Sequence, residues 1–267
     1  MESQMGYHEA RAALEWLLEL GAVDAVGDSP VDRYALPQAA PGKKAKPEAT
    51  AQAAPAPTPN AGPPQTQVDV VGEARRAAAG AGDLAALKAA MAAYPHCELR
   101  KGARQLVFGE GQAGARLMIV GDAPGRDEDQ QGRPFVGRQG QLLDRMLAAI
   151  DMGRDMPDAP VYLTHVLPWR PPQNRDPKPD EIAMITPFLE RHVALVNPDV
   201  IILMGNTACE AALGKRGVQR LRGQWGEAFG KPVLPMCHPE YLMRTPSAKR
   251  DAWADLLSVK AKLGALA

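Results

Sequence analysis

Leu117-Met118-Ile119-Val120-Gly121-Asp122-Ala123-Pro124-Gly125 is a short, continuous apolar run that breaks abruptly into a Gly/Pro loop carrying one carboxylate. A run of that length bounded by turn residues reads as a strand buried on both faces. Three more runs share the pattern: Val161 to Leu167, Val200 to Met204, and Val233 to Cys237. Between the first three lie stretches with helical spacing, Gln139 to Ile150 and Pro179 to Val196, each long enough for a crossover. Strands joined by such helices pair in parallel, and covering both faces explains why the runs are continuous rather than alternating. Shorter helices are expected at Asn206 to Leu213 and Ala248 to Leu263. The expected fold is a three-layer α/β sandwich around a central four-stranded parallel sheet.

Outside this block the composition changes. From Tyr7 to about Val26, Ala10, Ala13, Leu14, Leu17 and Leu18 recur on one helical face, so residues 1–27 are expected to form an amphipathic helix, with a protein partner possible for it. Residues 28–71 contain a stretch dominated by Ala and Pro, which cannot bury enough apolar surface to offset the entropy of ordering and is expected to be a disordered linker. A helix from about Gly72 to Tyr94, interrupted near Gly80 to Gly82, opens the main domain at 72–267.

The 267 residues carry 31 Lys+Arg and 31 Asp+Glu, so no uniformly basic coat is available and any nucleic-acid contact must come from local basic loops. No apolar run approaches the ~20 residues of a membrane span, and a cytoplasmic protein is expected. The three cysteines, Cys97, Cys209 and Cys237, are too few and too far apart for a disulfide framework or a four-cysteine metal site.

In an open parallel sheet, ligands bind beyond the carboxyl ends of the strands. The unusual residues of this chain fall there: Gly121 to Gly125 after the first strand, Thr164-His165 and then Trp169-Arg170-Pro171-Pro172 after the second, Gly205-Asn206 after the third, His238-Pro239 after the fourth. The first loop continues through Glu128-Asp129, whose carboxylates could orient a water, to Gly132-Arg133-Pro134-Phe135-Val136-Gly137, which holds an aromatic face between turn residues. The alternative is a plain loop with Phe135 tucked into the core. A phosphate loop is weaker, because neither G-x-G-x-x-G nor G-K-[ST] follows the first strand. After His238, Leu242 and Met243 are apolar wedges flanked by Arg244, Lys249 and Arg250, which suits insertion into a duplex with contacts to phosphate. The bland counterpart is a solvated helix start.

Five separated motifs, in order, resemble the uracil-DNA glycosylase superfamily, most closely its type-4 branch: Val107-Phe108-Gly109-Glu110-Gly111, Gly121-Asp122-Ala123-Pro124-Gly125 with Glu128-Asp129, Gly132 to Gly137, Arg170-Pro171-Pro172-Gln173-Asn174-Arg175, and His238-Pro239-Glu240-Tyr241-Leu242. The resemblance spans about Cys97 to Leu263. It implies a monofunctional enzyme that hydrolyses the glycosidic bond of uracil, or another deaminated base, flipped out of DNA. By that resemblance Asp122, His238 and Glu128 are the catalytic set, His238 donating to the departing base and Asp122 lying near the attacking water. Gly121, Ala123, Phe135 and His165 bind the base, with Phe135 as stacking platform. Arg170, Asn174, Arg175, Tyr241, Leu242, Met243 and Arg244 contact DNA, the chain acting as a monomer.

Three departures qualify this. Asp122 stands where the branch has Glu, and His165 where it places an Asn whose amide reads uracil. The branch also implies a [4Fe-4S] cluster on four thiolates. Cys97 alone is retained, Tyr94, Trp169 and Ile185 occupying the other positions, so no cofactor and no metal are expected. Two other readings stay open: a catalytically impaired DNA-binding or repair-scaffold paralogue, and a nucleotide-using α/β enzyme or docking module.

Overall fold

A computed structural model describes residues 69–266. The expected helix at 1–27 and nearly all of the expected linker at 28–71 lie outside the described residues. The first helices, α1 (Val70–Ala79) and α2 (Leu84–Ala93), replace the single interrupted helix expected from Gly72, and α1 starts two residues before it. Asp69 and Asp83 cap them, each accepting from a backbone N–H three residues on. The second cap lets the chain turn through Gly80–Gly82 into a new helix.

The strands are β1 (Leu117–Gly121), β2 (Val161–His165), β3 (Val200–Met204), β4 (Gly226–Ala228) and β5 (Lys231–Met236). They form one sheet in the order β2-β1-β3-β5-β4, parallel except for β4. The four parallel strands are those expected, β2 ending at His165 rather than Leu167. The sheet nevertheless has five strands, not four. The missing one, β4, is three residues with no apolar run, and pairs antiparallel with β5 through a two-residue turn at Phe229 and Gly230. Both turn residues have positive φ, 54° and 69°, the backbone that matches strand twist in tight hairpins.

Side chains of β1 alternate between two cores. Leu117 and Ile119 pack with Leu143 and Leu147 of α4 (Gly137–Ala148) and Leu256 and Val259 of α9 (Lys249–Ala265). Met118 and Val120 pack with Ile182, Leu189 and Val193 of α5 (Pro179–Val196) and Cys209 of α6 (Asn206–Leu213). That period of two, with both faces covered, makes the three layers. A third cluster joins α1 and α2 to the outer side of α5 through Ala74, Leu87, Leu99, Trp169 and Phe188. The remaining short helices are α3 (Arg126–Gln131), α7 (Val218–Leu221) and α8 (Pro239–Arg244). Among the described residues no helix is long and apolar enough to cross a membrane.

Candidate active site

Parallel pairing sets Gly121 opposite both His165 and Met204, so β1, β2 and β3 end at one level. Beyond that level opens a cleft of about 580 Å³, lined among others by Asp122, Ala123, Asn174, Asn206, His238 and Tyr241. Four of the loops singled out in the sequence therefore meet on one cavity.

Asp122 points across the end of β3 to the start of α6, where its Oδ1 accepts from the Ala208 N–H at 2.8 Å. Gly205 makes room for it. A Cβ at Gly205 would fall 2.2 Å from an Asp122 carboxylate oxygen, and the backbone there has φ of 122°. Burial pushes the Asp122 carboxyl up to about 6, against the N–H groups of Ala208, Thr207 and Asn206, which hold it down. An acid poised near neutral pH, open to a cleft, can accept a proton from water.

Glu128 sits at the third position of α3 and reaches back to the Gly125 N–H, the glutamate half of a capping box. Its other oxygen accepts from the Phe135 N–H and faces Nε2 of His165 at 3.1 Å. At 1% exposure, with both oxygens engaged, this carboxylate ties the two ends of the loop to β2. Burial alone would raise its pKa, but the His165 ring and its donors hold the carboxyl below the usual range. Glu128 also borders the cleft, where its two oxygens are already held by the loop and by His165.

Phe135 is held in the left-handed region, φ 50°, which a phenylalanine rarely adopts. The fastening is specific. Arg154, only 7% exposed, donates to the carbonyl of Phe135 at 3.0 Å and of Pro134 at 3.3 Å, and also pairs with Asp144 and Glu110. Gly140 lies directly under the same carbonyl. Sequence reasoning missed Arg154, because a lone arginine in a loop carries no sign of the carbonyls it will meet 19 and 20 residues away.

The Phe135 ring is 1% exposed and lies 4.8 Å from the His165 ring and 5.7 Å from the His238 ring, centroid to centroid. Of the three rings His238 alone lines the cleft; Phe135 belongs to the core with Leu143 and Leu147, as the plain-loop alternative had it, so the stacking face expected of Phe135 is covered in this conformation. His238 caps α8, its Nδ1 accepting from the Glu240 N–H at 3.3 Å, which leaves Nε2 to carry the hydrogen of a neutral ring. Burial lowers the His238 pKa to about 4, with the His165 ring acting in the same direction and Glu128 opposing. The site therefore holds a neutral imidazole that donates.

The residues expected on DNA divide. Asn174, Tyr241 and Arg244 line the cleft, Arg170 donates to Asn174 Oδ1 at 2.7 Å, and Met243 is 36% exposed. Arg175 instead forks onto Glu181 at 2.8 and 2.6 Å. Leu242 corrects the expectation of two wedges: it is 1% exposed, packed in the core with α4 and α9, because a helix turn that exposes Met243 and Arg244 must bury the residue before them. Gln139 and Gln219 also line the cleft, single amides with no sequence signal of their own.

Tyr94, Cys97, Trp169 and Ile185 come together, all at most 3% exposed, inside the apolar cluster between α1, α2 and α5. Tyr94 donates its hydroxyl to the Val70 carbonyl at 2.7 Å, and burial raises the Cys97 thiol. One protonated thiol among rings and aliphatic carbon does not fit a cluster that needs four thiolates. Among the described residues no group of three His, Cys, Asp or Glu could hold a metal ion.

The family model for the uracil DNA glycosylase superfamily matches residues 108–257. The chain belongs to that superfamily, and so to the hydrolases. Among its relatives are proteins named type-4 uracil-DNA glycosylases: that of Thermotoga maritima is 40% identical over 156 residues, 57% of this chain and 78% of that protein. That of Archaeoglobus fulgidus is 34% identical over 174 residues, 61% and 84% of the two chains, and that of Sulfurisphaera tokodaii 33% over 174 residues, 61% and 77%.

Proposed function

We propose that this chain is a monofunctional glycosylase that hydrolyses the N-glycosidic bond of uracil, or another deaminated base, extruded from DNA, working as a monomer without an iron-sulfur cluster. The observation that carries the reading is the placement of an Asp122 carboxylate and a neutral, donating His238 on one cleft, behind which Phe135 is locked. As the glycosidic bond lengthens, the base gains negative charge and the sugar becomes cation-like. Nε2–H of His238 donates to the departing base, while Asp122 takes the proton of the water that adds to the sugar carbon. Electrostatic stabilisation of this kind acts in a cleft where few waters compete. Glu128 is a positioning residue in this scheme, and Phe135 supplies the face on which the base stacks.

Two stacked contacts on a base need about 7 Å between the outer rings, and the Phe135 and His238 centroids are 5.7 Å apart with Phe135 1% exposed, so the His238 ring moves aside before a base stacks on Phe135. Arg244 borders the opening, Arg170 bonds the cleft residue Asn174 and Met243 is exposed, and these three serve the duplex. The test is cleavage of uracil-containing oligonucleotides after alkali, with His238→Ala and Asp122→Asn compared with the unaltered protein. Abasic product lost in both variants supports the assignment. Tight binding to uracil-containing DNA with no product from the unaltered protein establishes the non-catalytic reading instead.

A further inference from the structure

The stretch Gly214-Lys215-Arg216-Gly217-Val218-Gln219-Arg220-Leu221-Arg222-Gly223 holds four cations and no carboxylate, in a chain whose charges balance. It takes no part in the chemistry above, yet the cleft sets its place. Oδ1 of Asn206, just past the end of β3, accepts from the N–H groups of Gly217 at 3.1 Å and Val218 at 2.9 Å, so a cleft residue holds the loop. Val218 and Gln219 then line the cleft beside Asn206 itself. Gly214, Gly217 and Gly223 have φ of 65°, 102° and 73°, a backbone that fixes the turns at both ends and in the middle.

The four cations are not equivalent. Arg216 faces Asp176 at 3.1 Å and Glu210 at 3.3 Å, and Arg222 forks onto Asp255 at 2.9 and 2.6 Å, so both are held by their own chain. Lys215 and Arg220 are exposed and pair with no carboxylate among the described residues. Gly217 leaves the Arg220 guanidinium its place, since a Cβ there would fall 3.1 Å from Nη2. Val218 and Leu221 pack with the core of α5 and α6, whereas Tyr241 and Leu242 of α8 pack with the core of α4 and α9. The loop and α8 therefore reach the cleft from opposite faces of the sheet.

A strand that delivers a nucleotide to this cleft is covalently continuous on both sides of that nucleotide, so its neighbouring phosphates cross the rim. On the α8 side Arg244 stands there. We infer that the loop 214–223 is a second DNA contact, in which Lys215 and Arg220 take backbone phosphates of the strand carrying the extruded base. The inference rests on the glycosylase reading above and names the surface that holds its substrate. A chain without net charge grips DNA only through local basic loops of this kind. Phosphate contacts fix register and carry no base information, so the loop sets how tightly the strand is held and not which base is removed.

The experiment uses the full chain with Lys215→Gln and Arg220→Gln together. A control with Lys231→Gln and Lys262→Gln removes the same charge at the amino ends of the strands, away from the cleft. Binding is measured across a salt series on duplex and single-stranded oligonucleotides carrying 2′-fluorinated deoxyuridine, which resists hydrolysis. Single-turnover cleavage of ordinary uracil substrate at saturating protein is the second arm. The loop variant should bind duplex roughly 10- to 100-fold more weakly at physiological salt, with the slope of log affinity against log salt smaller by about 1.8 on duplex and about 1.4 on single strand. Cleavage at saturation should stay within about twofold, since a contact made equally before and in the transition state leaves the maximal rate alone. Lys215→Arg with Arg220→Lys keeps the charge and should bind as the unaltered protein does.

Affinity and slope no more altered than in the control overturn the inference. So does a loss confined to duplex, which would put these side chains on the complementary strand, and so does an equal loss in the charge-keeping pair, which would make the effect one of shape. Should the unaltered protein bind and cleave nothing, the glycosylase reading falls and the binding arm still decides the loop.

Discussion

Gly140 lies so close beneath Phe135 that a Cβ there would fall 1.8 Å from the Phe135 carbonyl oxygen, the same oxygen that accepts from Arg154 at 3.0 Å. A helix glycine and a buried arginine thus clamp one peptide from two sides and hold the phenyl ring against two imidazoles. Gly140→Ala cannot be absorbed by a flexible side chain, since the obstacle is backbone. The loop must move, and we expect glycosylase turnover to fall about 100-fold, as a misplacement near 1 Å can do. Helix propensity would by itself favour alanine by ~1 kcal/mol, so a variant that melts near the original temperature but does not turn over marks a positional defect; unchanged turnover would sink the clamp.

Removing the other jaw has a different signature. Arg154→Ala leaves two carbonyls and the carboxylates of Asp144 and Glu110 without their shared donor. Asp144 is 47% exposed and Glu110 keeps Arg133, so the loss is mainly that of the two carbonyls' donor, about 1–3 kcal/mol. Urea denaturation with an unchanged slope and an earlier midpoint is the expected record, together with weaker binding of base analogues.

Glu128→Gln keeps the shape of the side chain and removes its charge. The amide can still accept from one backbone N–H, but its NH2 group then confronts either the Gly125 or the Phe135 N–H, or Nε2–H of His165. One unsatisfied buried donor costs ~1–3 kcal/mol. Turnover should drop with it while the affinity for undamaged duplex stays level, since Glu128 touches none of the cationic side chains at the opening; a fall in duplex affinity would contradict a positioning role.

The rate should climb with pH through about 6, where Asp122 loses its proton, and then level, because His238 with a pKa of about 4 stays neutral and able to donate. Stability moves the other way. The folded Asp122 binds its proton more tightly than the unfolded chain, with 3.8 raised to about 6, so its contribution is fullest below 3.8 and is lost as pH rises through 6. Two pH units correspond to at most ~3 kcal/mol. Asp122→Asn should therefore be inactive, yet melt higher than the unaltered protein at pH 8; a variant that melts lower at that pH would show the carboxylate to be stabilising.

The nucleus around Trp169 makes a prediction about metal. Chelators and reductants should leave the melting temperature unchanged, with iron well below one atom per chain. Trp169→Ala should remove ~3–5 kcal/mol by opening a cavity against Leu87, Leu99 and Phe188. About four irons per chain, with broad absorbance in the visible blue, would require thiolates that these residues do not supply.

What could be read from residue order was whatever depends on local pattern. Four continuous apolar runs specified buried parallel strands, and the glycines and prolines after them placed the loops at the carboxyl ends. The motifs around Asp122, Phe135 and His238 were legible for the same reason, each being contiguous. Three things required the folded chain. The strand β4 has too little apolar character to announce itself and exists because a turn at Phe229–Gly230 lays it along β5. Leu242 looked like a surface wedge, but the rotation of α8 turned it inward and left Met243 outside. The clamp of Gly140 and Arg154 on Phe135 joins residues far apart in sequence. Its geometry comes from sheet register and helix packing, which sum over the whole core, and no local stretch of the chain encodes such a sum.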